Sequence, residues 1–130
     1  RVRSSITRKT IDVDLLERFL AAFRYQDTED QRSAFSDVLN DLSAPVPMDR
    51  LLCGDVGFGK TEIAMRACFL SVLLGGRAVV LAPTTILCYQ LFDSFSNRLS
   101  PFAVNVQMVS RLNTAGAVEN NLSDFNSGLP

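Results

Sequence analysis

GDVGFGKT, residues 54–61, fits the pattern G-x-x-x-x-G-K-[ST], and it lies between a short apolar run and a long one. That stretch decides the fold. Gly54, Gly57 and Gly59 let the backbone wrap tightly, so that successive N–H groups, those of Asp55, Val56 and Phe58 included, point inward at phosphate oxygens. A helix starting near Lys60 aims its positive end at the same place. Lys60 adds a mobile full charge for the β- and γ-phosphates, and the Thr61 hydroxyl is placed to ligate Mg²⁺. A glycine-rich turn can also join a strand to a helix with no ligand at all. The complete motif in a strand–turn–helix context favours phosphate binding.

Working outward, Arg50 to Cys53 reads as a short buried strand, and Thr61 to Leu74 as a helix apolar almost all round, ended by Gly75-Gly76. Ala78 to Ala82 (AVVLA) reads as a second buried strand closed by Pro83. Thr84 to Leu99 follows as a helix, Val104 to Val109 as a third strand, and Thr114 to Phe125 as a last, polar helix. Upstream, Asp12 to Phe23 carries Val13, Leu16, Phe19, Leu20 and Phe23 on one helical side. Thr28-Glu29-Asp30-Gln31 matches the capping-box pattern, and the helix it opens lines up Ala34, Phe35, Val38, Leu39 and Leu42 before the breaker Ser43 to Pro47. Alternation of strand and helix predicts an α/β fold: a parallel P-loop sheet of the RecA-like type, flanked by helices on both faces and truncated within these 130 residues.

The composition agrees with a folded domain. Of the 130 residues, 47% are hydrophobic and 21% charged, which is neither disordered nor membrane-like. The net charge of −1 advertises no overall basic field, although a local stripe can still bind a nucleic-acid backbone. Histidine is absent, which removes imidazole acid–base chemistry and the usual zinc ligands. Cys53, Cys68 and Cys88 follow no metal-site spacing and read as small buried side chains in a reducing, cytoplasmic setting. The longest apolar-rich stretch, Ile63 to Leu74, is interrupted by Arg66 and falls short of the ~18 residues of a membrane span. The first nine residues carry four positive charges and no acid. They read as the linker or lead-in (residues 1–22) of a chain cut from a longer one.

Hydrolysis needs a second carboxylate at the end of another strand, to hold Mg²⁺ and place water. The acids after Thr61 are Glu62, Asp93, Glu119 and Asp124, and none follows a buried strand. These 130 residues are therefore expected to bind ATP without turning it over.

The motifs PMDRLLCGDVGFGKTEIAMRA (47–67), VVLAPTTIL (79–87), FRYQDTEDQ (23–31) and MVSR (108–111) extend the reading. On these the chain resembles the superfamily-2 helicase-type motors. Within them it is most similar to the transcription-repair coupling factors, and next to the RecG-type branched-DNA helicases. Cys53 and Phe58 favour the former, where RecG-type proteins usually carry Gln and Ser. The resemblance makes residues 23–130 the N-terminal part of a helicase-type ATP-binding domain with ATP and Mg²⁺ as cofactors. It implies duplex DNA as a partner, and RNA polymerase and excision-repair proteins as partners of the parent protein. It also implies that Tyr25 packs near the adenine and that the Gln31 amide reads its N6 and N7 edge; the capping box is the plainer role for Gln31, and the two are compatible. Thr84 and Thr85 match a motif on the DNA backbone track, or simply cap a helix after Pro83. Gln90, Ser110 and Arg111 match further positions on that track. Around Gln90 the chain reads LCYQLF (87–92) where the family is closer to LAQQHY, and LNTAGA (112–117) lacks the basic residues usual after Ser110-Arg111. The family's Gly-Thr-His element and its Asp-Glu-x-His box are expected beyond Pro130. A P-loop binding module with no motor activity is the reading from another functional class.

Overall fold

The computed structural model describes residues 11–53 and 59–110. Gly54 to Phe58, Arg111 and the helix expected over Thr114 to Phe125 lie outside the described residues. Among the described residues there are four α-helices: α1, Val13–Ala21; α2, Glu29–Ser43; α3, Lys60–Leu73; and α4, Thr85–Leu99, followed by a 3-10 turn over Ser100–Phe102. The described residues fall into two compact units divided between Gly76 and Arg77.

The first unit holds α1, α2 and α3. Asp12 caps α1 by accepting from the Leu15 N–H at 3.1 Å. Leu16 and Phe19, one turn apart, turn inward, while Val13 at the helix start stays exposed. Phe19 is fully buried and stacks on Phe69 of α3, with ring centroids 4.1 Å apart and planes at 16°. Burying one such ring is worth about 1.5–3 kcal/mol. That contact fastens the lead-in helix to the helix that begins at the phosphate loop.

The capping box of α2 is fully formed. The Gln31 N–H donates to the Thr28 hydroxyl oxygen at 3.2 Å, and the Thr28 N–H donates to Gln31 Oε1 at 2.9 Å. Val38 and Leu42 of the expected stripe are buried against the core of this unit, where α2 packs along α3. Gly75 closes α3 with a positive φ of 85°. Ile63, Phe69 and Leu70 are almost wholly buried, as the all-round apolar pattern requires.

The second unit holds α4, capped by Thr84, whose hydroxyl accepts from the Leu87 N–H at 3.2 Å. Its inner face is Phe95 and Leu99, one turn apart; Ile86, Tyr89 and Gln90 are exposed.

The three expected strands are the main difference. Among the described residues no strand is formed: Arg50 to Cys53, Ala78 to Ala82 and Val104 to Val109 run without ladder hydrogen bonds. Val79 and Leu81, expected in a buried strand, are 69% and 89% exposed. The physical reason is locality. A helix closes its hydrogen bonds within four residues, whereas a parallel strand gains nothing until a distant strand lies beside it. The segment before the phosphate loop is instead tied to α2 by Arg50. Its Nε donates to Asp41 Oδ2 at 2.5 Å, its Nη2 to Asp41 Oδ1 at 3.2 Å and its Nη1 to Asp37 Oδ2 at 3.4 Å.

Candidate functional site

The site is built on the N-terminus of α3. Gly59 is its N-cap, in the left-handed region at φ 82° and ψ 24°. A glycine there has no side chain with which to cap the helix. Lys60 and Thr61 open the helix on its exposed side. A helix start with a positive backbone end, an adjacent ammonium and a hydroxyl is suited to a polyphosphate.

Gly59 is also where the two halves of the expected site meet. A Cβ built on Gly59 would overlap Gln31 Nε2 and come within 3.1 Å of Gln31 Cδ. The Gln31 carboxamide therefore lies directly against the end of the phosphate loop, and Gln31 is buried at 6% exposure. Its Oε1 accepts from Thr28 and retains a second lone pair, and its Nε2 keeps two donor hydrogens. Capping thus leaves valences of the same amide over. Gly59→Ala is expected to lower stability by roughly 1–2 kcal/mol from the left-handed backbone alone. Displacement of Gln31 adds to that loss. A urea titration that left the midpoint of Gly59→Ala unchanged would refute the close approach.

Tyr25 is exposed at 72% and sits edge-on to Phe23, with centroids 5.8 Å apart and planes at 69°. Phe23 in turn faces a residue that the sequence reading passed over. Arg66, in the second turn of α3, is 1% exposed. Its guanidinium carbon lies 5.2 Å from the ring centroids of both Phe23 and Phe35. Nη1 and Nη2 donate to the two oxygens of Asp27 at 2.7 and 2.8 Å, and Nε donates to Glu62 Oε1 at 3.0 Å. Burial works against the charge on Arg66, but the hydrogen bonds to Asp27 and Glu62 outweigh it and raise its pKa above the ordinary arginine value. The Arg66 hydrogen bonds hold the Asp27 carboxyl below the usual carboxylate range. Arg32 adds a bond from Nη1 to the Asp27 carbonyl at 3.1 Å. One half of this network was legible in advance. Glu62 and Arg66 stand four apart, acid first, on a helix otherwise apolar, which marks a paired charge turned inward. Asp27, 39 residues away, carries no such local signal.

The second unit carries the other expected contacts. Thr84 is the N-cap of α4 and Thr85 its first residue, with Gln90 exposed further along the helix. The Thr84 hydroxyl accepts the cap bond, and its own hydrogen remains available to a phosphate oxygen. Ser110 is half-buried at the end of the described residues.

The donor set suits a purine nucleotide: an exposed aromatic ring, a carboxamide, a helix start and an ammonium. Among the described residues no cluster of three acidic, Cys or His side chains could hold a metal on its own. Mg²⁺ is usually shared between one or two protein oxygens and substrate phosphates; Thr61 would supply the protein oxygen. Among the described residues no helix is long and apolar enough to cross a membrane.

Comparison with known proteins gives a consistent result. The model of the DEAD/DEAH box helicase family matches residues 28–127. The chain is 46% identical over 104 residues to the transcription-repair-coupling factor of Haemophilus influenzae, covering 80% of this chain and 9% of that protein. It is 46% identical over 111 residues to the protein of that name from Myxococcus xanthus, covering 85% and 9%. The Bacillus subtilis protein of that name is 38% identical over 117 residues, covering 90% and 10%. The chain thus spans about a tenth of the length of the relatives it matches.

Proposed function

The chain belongs to the DEAD/DEAH box helicase family, and we propose that it is the nucleotide-binding front portion of an ATP-dependent double-stranded-DNA translocase that couples stalled transcription to DNA repair. The observation that carries this reading is the seating of Gln31 against Gly59. In this reading the residue proposed to read the base lies against the last glycine of the phosphate loop. The family match implies a P-loop NTPase fold. The finer architecture proposed is a RecA-like parallel sheet with strands at 50–53, 78–82 and 104–109, within an ATP-binding domain that begins near residue 23.

In this reading Gly54, Asp55, Val56, Gly57, Phe58 and Gly59 wrap the phosphates. Lys60 neutralises them, Thr61 holds Mg²⁺, and Tyr25 and Gln31 take the adenine. Thr84, Thr85, Gln90, Ser110 and Arg111 lie along the DNA backbone. RNA polymerase and excision-repair proteins are the proposed partners of the parent protein, at work in the cytoplasm. Support comes from relatives named for transcription-repair coupling.

The test is nucleotide binding by the 130-residue chain with and without a DNA duplex. Mg-ATP is expected to bind more tightly in the presence of duplex, and no phosphate release above background is expected, since no Asp-Glu-x-His sequence occurs in these residues. Duplex affinity is expected to fall with salt, with a log–log slope about 0.9 shallower in Arg111→Ala if that residue neutralises one phosphate. Nucleotide affinity indifferent to duplex would reduce the chain to a binding module, and DNA-stimulated turnover would overturn the assignment of hydrolysis to residues outside it.

A further inference from the structure

Arg66 touches the elements that serve base and phosphate from one buried point. Its Nη atoms hold Asp27, the residue before Thr28, which caps the helix bearing Gln31. Its guanidinium faces Phe23, on which Tyr25 rests. Its Nε and its own backbone belong to α3, the helix of Lys60 and Thr61. Phe23, Tyr25 and Asp27 lie in a stretch with no regular hydrogen-bonded structure of its own, between α1 and α2. Little else among the bonds described here fixes that stretch to α3.

We propose that Arg66 is a positioning residue for nucleotide selectivity, locking the adenine-facing loop to the phosphate-facing helix so that the base is read at a fixed distance from the phosphates. The inference rests on the nucleotide-binding reading above. Recognition by Gln31 depends on matching a donor and an acceptor at once, and such a match discriminates only when the amide cannot shift. Phosphate wrapping depends on the loop and helix start themselves. Loosening Arg66 should therefore cost base discrimination and leave base-independent binding in place. Lysine in its place keeps the charge but offers no planar fork for Asp27 together with a third donor for Glu62.

The experiment measures equilibrium binding of Mg-ATP, Mg-GTP and inorganic tripolyphosphate to the wild-type chain, Arg66→Lys and Asp27→Asn, each checked for folding by circular dichroism. The wild type is expected to prefer ATP over GTP. Arg66→Lys is expected to shrink that preference by roughly tenfold, the scale of one well-placed hydrogen bond. Asp27→Asn, which keeps Arg66 and changes only its partner, should shrink it in the same direction. Tripolyphosphate affinity should stay within about twofold of wild type in both. An unchanged ATP-to-GTP ratio in a folded variant would overturn the proposal. So would an equal loss for all three ligands, which is what a purely structural role predicts. A wild type that binds tripolyphosphate without preferring ATP would instead remove the adenine reading beneath it. A wild type that binds none of the three would remove the phosphate reading as well.

Discussion

Lys60→Ala is expected to abolish Mg-ATP binding at concentrations that saturate the wild type. Lys60 is the first residue of α3, exposed, and directly follows the left-handed Gly59. The other charged side chains from Gly54 to Ile63 are the acids Asp55 and Glu62, so the Lys60 ammonium is the one full positive charge that this stretch brings to a polyphosphate. A charge-assisted hydrogen bond is worth about 1.5–3 kcal/mol, and leaving a charged partner unpaired raises the loss to about 2–5 kcal/mol. That corresponds to roughly 30- to several-thousand-fold in affinity. Because Lys60 is exposed at a helix start, alanine there should cost far less stability than truncation of a core side chain. The result to look for is lost binding in a chain that still folds. Retained affinity would show that the loop does not hold phosphate through this residue.

The helices were legible in the sequence because their signals are local. Thr28 and Thr84 each cap the helix that their position predicts, Asp12 caps α1 where the sequence reading includes it in the helix, and Gly75 closes α3. The meeting of Gln31 with Gly59 was not legible as a contact, because 28 positions of chain separate them, although each residue had been singled out for the same ligand. The strands expected at 50–53, 78–82 and 104–109 are not formed among the described residues for a related reason. AVVLA (78–82) has the composition of a buried strand, but its pairing partners are remote and its apolar side chains are exposed here. Arg66 was read as an interruption of an apolar run. It is instead the most buried charge described, and it is paired with Asp27 and Glu62.

Arg66→Met should produce the largest loss of stability among single changes in the first unit. A buried ion pair often contributes little net stability, since desolvation of both charges offsets their attraction. Removing one partner is different, because the other is left charged and buried. Asp27, with its side chain 24% exposed, can turn to water. Glu62, with its side chain 8% exposed, cannot do so easily. The expected loss is about 3–5 kcal/mol, with the contacts to Phe23 and Phe35 weakened as well. Two further measurements separate the abandoned charge from the worth of the pair. Glu62→Leu placed on the Arg66→Met background should recover most of the loss, since an apolar residue then fills the space the carboxylate occupied. The pH dependence supplies the second. The Asp27 pKa is lowered in the folded chain, with the Arg66 hydrogen bond as the largest cause. A lowered carboxylate pKa contributes stability that is present above the ordinary value of about 4 and is lost as pH falls through the lower native value. The stability gap between wild type and Arg66→Met should therefore narrow as pH falls through the carboxylate range. A gap that stayed constant into acid would mean that Asp27 draws nothing from Arg66. The double substitution failing to recover would place the loss in packing around the guanidinium and not in the stranded carboxylate.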